Sequence, residues 1–284
     1  MYVAMKEILD RANKENYAVM AINCFNLETA RTVITTANKL NAPIIINIYQ
    51  AHLAEHAYTN LITPIVKTIA SQVKVPVALN LDHGTDKELV YQAINDGFSS
   101  VMYDGAEFEL ERNIAETKSV VSYAHQHGVS VEAELGSLGA TAGDNYTLDD
   151  MKTNPDQAAD FVKKTGIDAL AISYGSSHGN YPEGMTPEFD FERLQAIKAS
   201  VDIPLVLHGG SGSGSENILK SVQYGINKIN VGCDFMNANR DSTQKIIQAD
   251  PDVNYFDLIH QVEQDSAEVI AHYIELSGSK NKIS

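Results

Sequence analysis

Short apolar runs rich in β-branched residues recur along the chain at residues 17–22, 43–48, 75–81, 99–103, 129–134, 168–174, 203–208 and 228–231. Each has the length of a strand, and continuous apolarity is what a sheet covered on both faces requires. Between them, residues 27–40, 61–73, 87–96, 113–127, 155–165 and 191–200 carry apolar side chains at helical spacing. Strand and helix in strict alternation predict a parallel sheet, and eight such units fit a closed (β/α)8 TIM barrel, an α/β fold. The alternation runs without a linker, so residues 1–284 are expected to form a single domain with a helical tail at about 255–276. Residues 136–150 read as a long, Gly-containing, mobile loop after the fifth strand. An open doubly wound sheet is the alternative. It would need a Gly-rich fingerprint after the first strand, which this chain lacks.

Composition adjusts this picture in three ways. A length of 284 residues allows two domains or one barrel; 44% hydrophobic and 20% charged residues supply a large core and give no sign of disorder. The 21 Lys and Arg against 37 Asp and Glu leave a net charge of −16, which repels a polyanion and excludes a nucleic-acid partner. The most apolar stretch, residues 42–48, is too short to span a membrane, and Lys6, Glu7 and Asp10 interrupt what a signal peptide would need. No membrane partner is expected, and the chain reads as soluble and cytoplasmic. Two cysteines form no disulfide framework. Closing a barrel sets the first strand beside the eighth, so Cys24 and Cys233 are expected as neighbouring thiols at one rim.

In a barrel the chemistry sits at the C-terminal ends of the strands. Here those ends read Asn23, Tyr49, Asp82-His83, Asp104, Glu132 and Glu134, His178, His208 and Asn230. Three neutral imidazoles around one point form a catalytic zinc site with an open position, and a fold can gather them without local spacing. His83, His178 and His208 each follow a strand and precede a glycine; the other six histidines are expected at the surface. Adjacent residues at a strand end diverge, so Asp82 is expected to move a proton and not to coordinate, the alternative being a cap of the following helix. Glu132 and Glu134 share one strand face. A pair of inward carboxylates needs a compensating cation or hydrogen bonds, whereas a solvated strand end would need neither. The run 209–214, GGSGSG, and the NVG of 230–232 lie after strands seven and eight, where barrels bind phosphate through backbone amides.

The segments NLDHG, VSVEAELGSLG, YGSSHGNY, IPLVLHGGSG and KINVG, in this order at strand ends, resemble the class II, zinc-dependent ketose-bisphosphate aldolases of the fructose- and tagatose-bisphosphate type. The resemblance spans about residues 1–278. It implies a lyase that cleaves a phosphorylated ketose reversibly into a dihydroxyacetone-phosphate-like ketone and an aldehyde. In that family Zn2+ held by three His polarises the ketone carbonyl and stabilises the enediolate, while an Asp handles the hydroxyl proton. By resemblance His83, His178 and His208 are the ligands and Asp82 is the acid/base. Asn23, Gly179, Gly209, Gly210, Ser211, Asn230 and Cys233 match substrate- and phosphate-contacting positions, often with a monovalent cation, Na+ or K+. Asp104, Glu132 and Glu134 match carboxylates near the metal. The implied partner is a sugar phosphate, and the implied assembly a homodimer or homotetramer with the tail helix as the natural contact.

Several positions depart from that pattern. Tyr49 stands where a small hydroxyl is usual, Cys233 replaces the hydroxyl after NVG, Pro182-Glu183 replaces a Lys, and Asn254 falls where an Arg reads the far phosphate. Ala142 falls where a mobile Glu carries a proton, with Asp144 nearby, and Ala106 replaces a Ser. These losses predict poor binding of a bisphosphate and preference for a monophosphate or an unphosphorylated sugar. A catalytically retired binding protein is the reading from another class, and absence of zinc from purified protein would favour it.

Overall fold

The computed structural model describes residues 1–136, 152–177 and 187–283. Residues 137–150 of the predicted loop, Ala142 and Asp144 among them, and His178, Gly179 and Pro182-Glu183 lie outside them. The chain runs α1 (Met5–Glu15), β1 (Val19–Asn23), α2 (Leu27–Lys39), β2 (Ile44–Tyr49), a single turn α3 (Gln50–His52) continued by a π-turn (Leu53–Ala57), and α4 (Thr59–Ser71). There follow β3 (Val77–Gly84), α5 (Lys87–Asn95), β4 (Ser100–Tyr103), α6 (Leu110–Gln126), β5 (Ser130–Leu135) and α7 (Pro155–Thr165). The rest is β6 (Ala169–Ile172), α8 (Phe191–Ser200), β7 (Leu205–Leu207), α9 (Ser215–Gln223), β8 (Ile226–Val231), α10 (Cys233–Ala249) and α11 (Tyr255–Leu276). The eight parallel strands close on themselves, with β1 hydrogen-bonded to both β2 and β8. This is the (β/α)8 barrel expected, and α11 is the expected tail. No described helix is long and apolar enough to cross a membrane.

Local sequence explains where the helices begin. Asn26 caps α2 in a reciprocal capping box with Thr29, Asp86 caps α5, Asn154 caps α7 ahead of Pro155, and Asp190 caps α8. Each side-chain oxygen takes up a backbone N–H that would otherwise be unpaired. Asn254 caps α11 by accepting from the Phe256 amide. Asp82 caps nothing, because α5 already has Asp86.

Period-two alternation divides the barrel from its shell. Ala21, Ile45, Ala78, Ala169, Ala171 and Val206 point inward at the lower end and form one cluster with Met5, Ile8, Leu9 and Ala12 of α1. Small inward side chains leave room for that helix to plug the N-terminal mouth, an element that the strand and helix pattern did not single out. The opposite mouth carries polar side chains. Residues between the sheet and the helices, such as Ile44, Ile46, Leu79, Leu81 and Val101, form the larger apolar shell.

One irregularity matters for function. On β3 the ladder advances three residues, Leu81 to Gly84, while β4 advances two, Val101 to Tyr103. The extra residue is a bulge, and His83 within it has φ 51°. Regular alternation would aim Asp82 inward and His83 outward. The bulge returns His83 to the mouth, so the expected divergence of the two side chains does not occur. Gly84 is what permits it: a Cβ there would lie 2.6 Å from the Met102 carbonyl oxygen and 2.8 Å from Val90.

Asn23, the last residue of β1, approaches Gly232 just past β8, whose added Cβ would lie 3.3 Å from the Asn23 side chain. Both Cys24 and Cys233 are free thiols, and burial drives the Cys24 pKa upward, which makes it inert.

Gly84→Ala should lower stability by about 1–3 kcal/mol, as overpacking against backbone does, and should lower metal uptake with it, because the bulge aims His83. A variant that melts with the parent and takes up the same metal would show that the bulge is not what aims the histidine.

Candidate active site

Asp82 is buried at the end of β3. Asn23 Nδ2 donates to one of its oxygens at 2.7 Å and Asn230 Nδ2 to the other at 3.0 Å. Burial alone would raise the pKa of this carboxyl, but His83, His208, Lys228 and the Asn23 amide hold it below the ordinary value. Asp82 is therefore an ionised carboxylate with fixed orientation. The two asparagines expected to touch substrate each give an amide N–H to this carboxylate.

The described histidines meet above this carboxylate. His83 Nδ1 lies 2.8 Å from Asp104 Oδ2, and His208 Nε2 lies 2.8 Å from Glu132 Oε1. A carboxylate accepts and cannot donate when ionised, so each imidazole carries its proton on the nitrogen facing its carboxylate. The other nitrogens, His83 Nε2 and His208 Nδ1, then point lone pairs at each other across 2.9 Å. Two lone pairs at that distance repel unless a proton or a metal ion stands between them. Burial lowers the His83 pKa, but Asp82, Asp104 and Glu134 more than reverse this and push it up to about 9. In metal-free protein a proton serves as the cation.

Glu134 adds a second observation. Its Oε2 is buried without a hydrogen-bond partner, 3.9 Å from His83 Nδ1 and 3.8 Å from His208 Nδ1. Burial first, and Asp104 next, push its pKa up to about 8. A divalent ion near the imidazoles would relieve both the facing lone pairs and this carboxyl. The ligand atoms of Asp82, His83 and His208 lie within 4.8 Å of one another, as do those of His83, Asp104 and Glu134. Outer carboxylates fixing the tautomers of inner imidazoles are the usual support of a metal site, so the residues fit a divalent ion. His178, the third expected ligand, lies outside the described residues.

Lys228 was not singled out from the sequence, although it lies two residues before Asn230 and so shares its face of β8. Fully buried, its Nζ lies 2.7 Å from Glu132 Oε2 and donates to Asn230 Oδ1 at 2.8 Å. One cation thus orders both Glu132, which holds His208, and Asn230, which holds Asp82. Glu132 is no solvated strand end. Of the six histidines expected at the surface, His52 departs: it is half-buried at the rim, 5.6 Å from Tyr49 ring to ring.

The glycine run after β7 is folded tightly. Gly209 has φ 68°, and a Cβ there would lie 2.3 Å from the Ser177 carbonyl oxygen. Two amides expected to cradle a phosphate are occupied, since Gly210 N donates to Asn230 O at 3.0 Å and Gly212 N to Asp234 Oδ2 at 3.2 Å. Ser211 Oγ accepts from the Gly232 and Asp234 amides, and Tyr273 Oη donates to Asp234 Oδ2 at 2.6 Å. The expected cradle is therefore narrower than the run of glycines suggests, and Asp234 sets a carboxylate beside it. Cys233 opens α10 there. Asp104 Oδ1 accepts from the Ala106 amide at 3.1 Å, a backbone contact that needs no Ser at 106.

Lys228→Met should weaken zinc binding by about 10–100-fold, the usual effect of losing support behind a ligand; titration against a chromophoric chelator measures it, and unchanged affinity would detach Lys228 from the site. Glu134 and His83 both have raised folded pKa values, so their stabilising effect is complete at low pH and lost as pH climbs toward about 8 and 9. Metal-free protein should therefore melt at progressively lower temperature between pH 6.5 and 9, and saturating zinc should remove that slope. A flat profile without metal would contradict the raised values.

Known proteins resemble this chain over nearly its whole length. The model of the family described as fructose-bisphosphate aldolase class-II matches residues 3–282. Among solved structures, the YdjI aldolase from Escherichia coli K12 is 30% identical, with 100% of each chain covered and a TM-score of 0.88. A putative fructose-1,6-biphosphate aldolase from Coccidioides immitis is 27% identical over 98% of this chain and 97% of its own, with a TM-score of 0.85. The fructose-bisphosphate aldolase of Campylobacter jejuni shares the fold at 24% identity, covering 99% and 96%, with a TM-score of 0.85. With its barrel, its strand-end carboxylates and imidazoles, and a family match across nearly its full length, the chain belongs to the class II fructose-bisphosphate aldolase family.

Proposed function

We propose that the protein is a zinc-dependent aldehyde-lyase that cleaves a phosphorylated ketose reversibly into a three-carbon ketone phosphate and an aldehyde. The observation that carries this reading is the buried, ionised Asp82 held by two amides beside a pair of imidazoles whose outer nitrogens are fixed by carboxylates. His83 and His208, with His178 as the third member, would hold the ion. When bound, zinc supplies the Lewis acidity that polarises a ketone carbonyl.

The residues of the chain account for the proton. In cleavage, Asp82 takes the proton from the hydroxyl on the carbon that becomes the aldehyde; the O–H pair becomes the new C=O, the carbon–carbon bond breaks, and its electrons remain on the ketone fragment. The electron pair left on the ketone fragment takes up a proton from water to give the neutral ketone; in condensation the ketone first gives that C–H proton back to water, and Asp82 then returns its proton to the new alkoxide. Asn23 and Asn230 keep the carboxylate aimed throughout, each through an amide N–H that cannot itself be lost as a proton at neutral pH. Lys228, paired with Glu132 Oε2 at 2.7 Å, is also one of the groups that hold the Asp82 carboxyl below its ordinary value.

A preference for one phosphate over two is the second part of the proposal. Tyr49 closes the strand-two end with a ring, and Asp234 and the occupied Gly210 and Gly212 amides leave few donors after β7. Net charge −16 adds a general penalty for a second dianion. Phosphate held through the remaining backbone amides, and assembly as a homo-oligomer through the tail, complete the reading.

His208→Ala should lose bound zinc on elemental analysis, whereas Asp82→Ala should keep it and lose about 100-fold or more in turnover. Full metal in the first variant, or an unchanged rate in the second, would contradict the assigned roles. Fructose- or tagatose-bisphosphate cleaved with kcat/KM above about 10⁴ M⁻¹s⁻¹ would overturn the monophosphate preference.

A further inference from the structure

Where β1 and β2 end, four rings gather beside the metal-binding residues. Tyr49 closes β2 on the inward face that it shares with Ile45 and Asn47. Its ring lies 6.3 Å from that of His83 and 5.6 Å from that of His52, edge to face in both cases. Phe25, just past β1, meets His52 at 5.6 Å and His56 at 6.1 Å, again edge to face. The histidines are set four residues apart by the turn of α3 and the π-turn that continues it, which ends at Tyr58 in a left-handed conformation, φ 41°. A single π-turn and a tyrosine at positive φ are local costs that a barrel does not need for closure, and such features gather at functional sites.

His52 supplies the chemistry. Its Nδ1 is buried with no hydrogen-bond partner, while Nε2 remains open. A buried N–H without an acceptor costs more than a buried lone pair, so the proton belongs on Nε2. Protonating the ring would bury a second unpaired N–H, and burial does lower the His52 pKa in spite of Asp82 and Glu55. His52 therefore offers one neutral N–H donor. The groups whose charge acts on His52 are the carboxylates of Asp82 and Glu55 and, with opposite sign, the imidazole of His56. The stacked cation–aromatic contacts of the described residues lie elsewhere, at Tyr2, Phe108, Phe191 and Tyr17.

We infer that Tyr49, His52 and Phe25 form the subsite for the end of the substrate that leaves as the aldehyde, and that this subsite selects an uncharged, hydroxylated carbon chain. The rings offer aromatic surface to carbon-bound hydrogens, and His52 Nε2–H donates to a hydroxyl. A phosphate there would meet the carboxylates of Asp82 and Glu55. The inference rests on the aldolase reading and adds to it the chemical class of the aldehyde and the residues that choose it.

The test runs the reaction toward condensation, with dihydroxyacetone phosphate and three aldehydes: glyceraldehyde, glyceraldehyde 3-phosphate and propionaldehyde. Exchange of the ketone's C–H proton with deuterated water, measured by NMR without any aldehyde, reports the metal-centre chemistry separately. Exchange by the zinc-loaded parent, with kcat/KM for glyceraldehyde above that for both other aldehydes, supports the subsite. In His52→Phe the ratio of kcat/KM for glyceraldehyde over propionaldehyde should fall about fivefold, the worth of one hydrogen bond. His52→Gln, which restores a neutral N–H donor, should recover most of it. Exchange intact but the ratio unmoved in His52→Phe would overturn the subsite and leave the aldolase reading standing, as would better use of glyceraldehyde 3-phosphate by the parent. No exchange by the parent would take down both.

Discussion

Two imidazole nitrogens, each deprived of its proton by the carboxylate behind it, face each other across 2.9 Å in a buried pocket. That arrangement is unfavourable without a cation, and much of the upper barrel follows from it. Asp104 and Glu132 fix the tautomers, Lys228 offsets the charge of Glu132, and Glu134 adds a carboxyl that remains costly until positive charge arrives. A cluster with Asp82, Asp104, Glu132 and Glu134 around two histidines would lose stability for no return if its task were structural. The same residues have the ligand atoms, and the spacing, to hold a metal ion.

The barrel serves that constraint through its geometry more than through its loops. Inward alternation delivers Glu132 and Glu134 from β5 and Lys228 and Asn230 from β8 to one level. The bulge in β3 adds His83 to the inward side without losing Asp82. Helix α1 plugs the opposite mouth, leaving one open end for substrate. Asp82 and His83 therefore lie on β3, which is paired with β2 on one side and β4 on the other, and His208 directly follows β7.

Much of this was legible in the chain. Eight apolar runs separated by helical periodicity identify the barrel because only a sheet buried on both faces needs continuous apolarity. Polar residues at run ends identify the mouth, since a buried strand has no other reason to finish in Asp-His, Glu or His. Other features were hidden for physical reasons. Alternation cannot foresee a bulge, so Asp82 and His83 read as diverging when they converge. A lysine within an apolar strand reads as an interruption, although its two-residue spacing from Asn230 could have marked Lys228 as part of the site. Glycine runs announce close backbone approach without telling which amides are spent inside the protein, so Gly210 and Gly212 looked available when Asn230 and Asp234 had taken them. His52 sat in a segment with no strong period, and only its ring contacts place it at the rim.

X-ray absorption at the zinc edge of the loaded protein tests most directly whether the facing imidazoles hold the ion. Nitrogen ligation with the outer-shell signature of histidine rings, at about 2.0–2.1 Å and without sulfur, is the predicted spectrum. Backscattering from sulfur at about 2.3 Å, which only Cys24 or Cys233 or a methionine could supply, or a shell of oxygen alone, would contradict it.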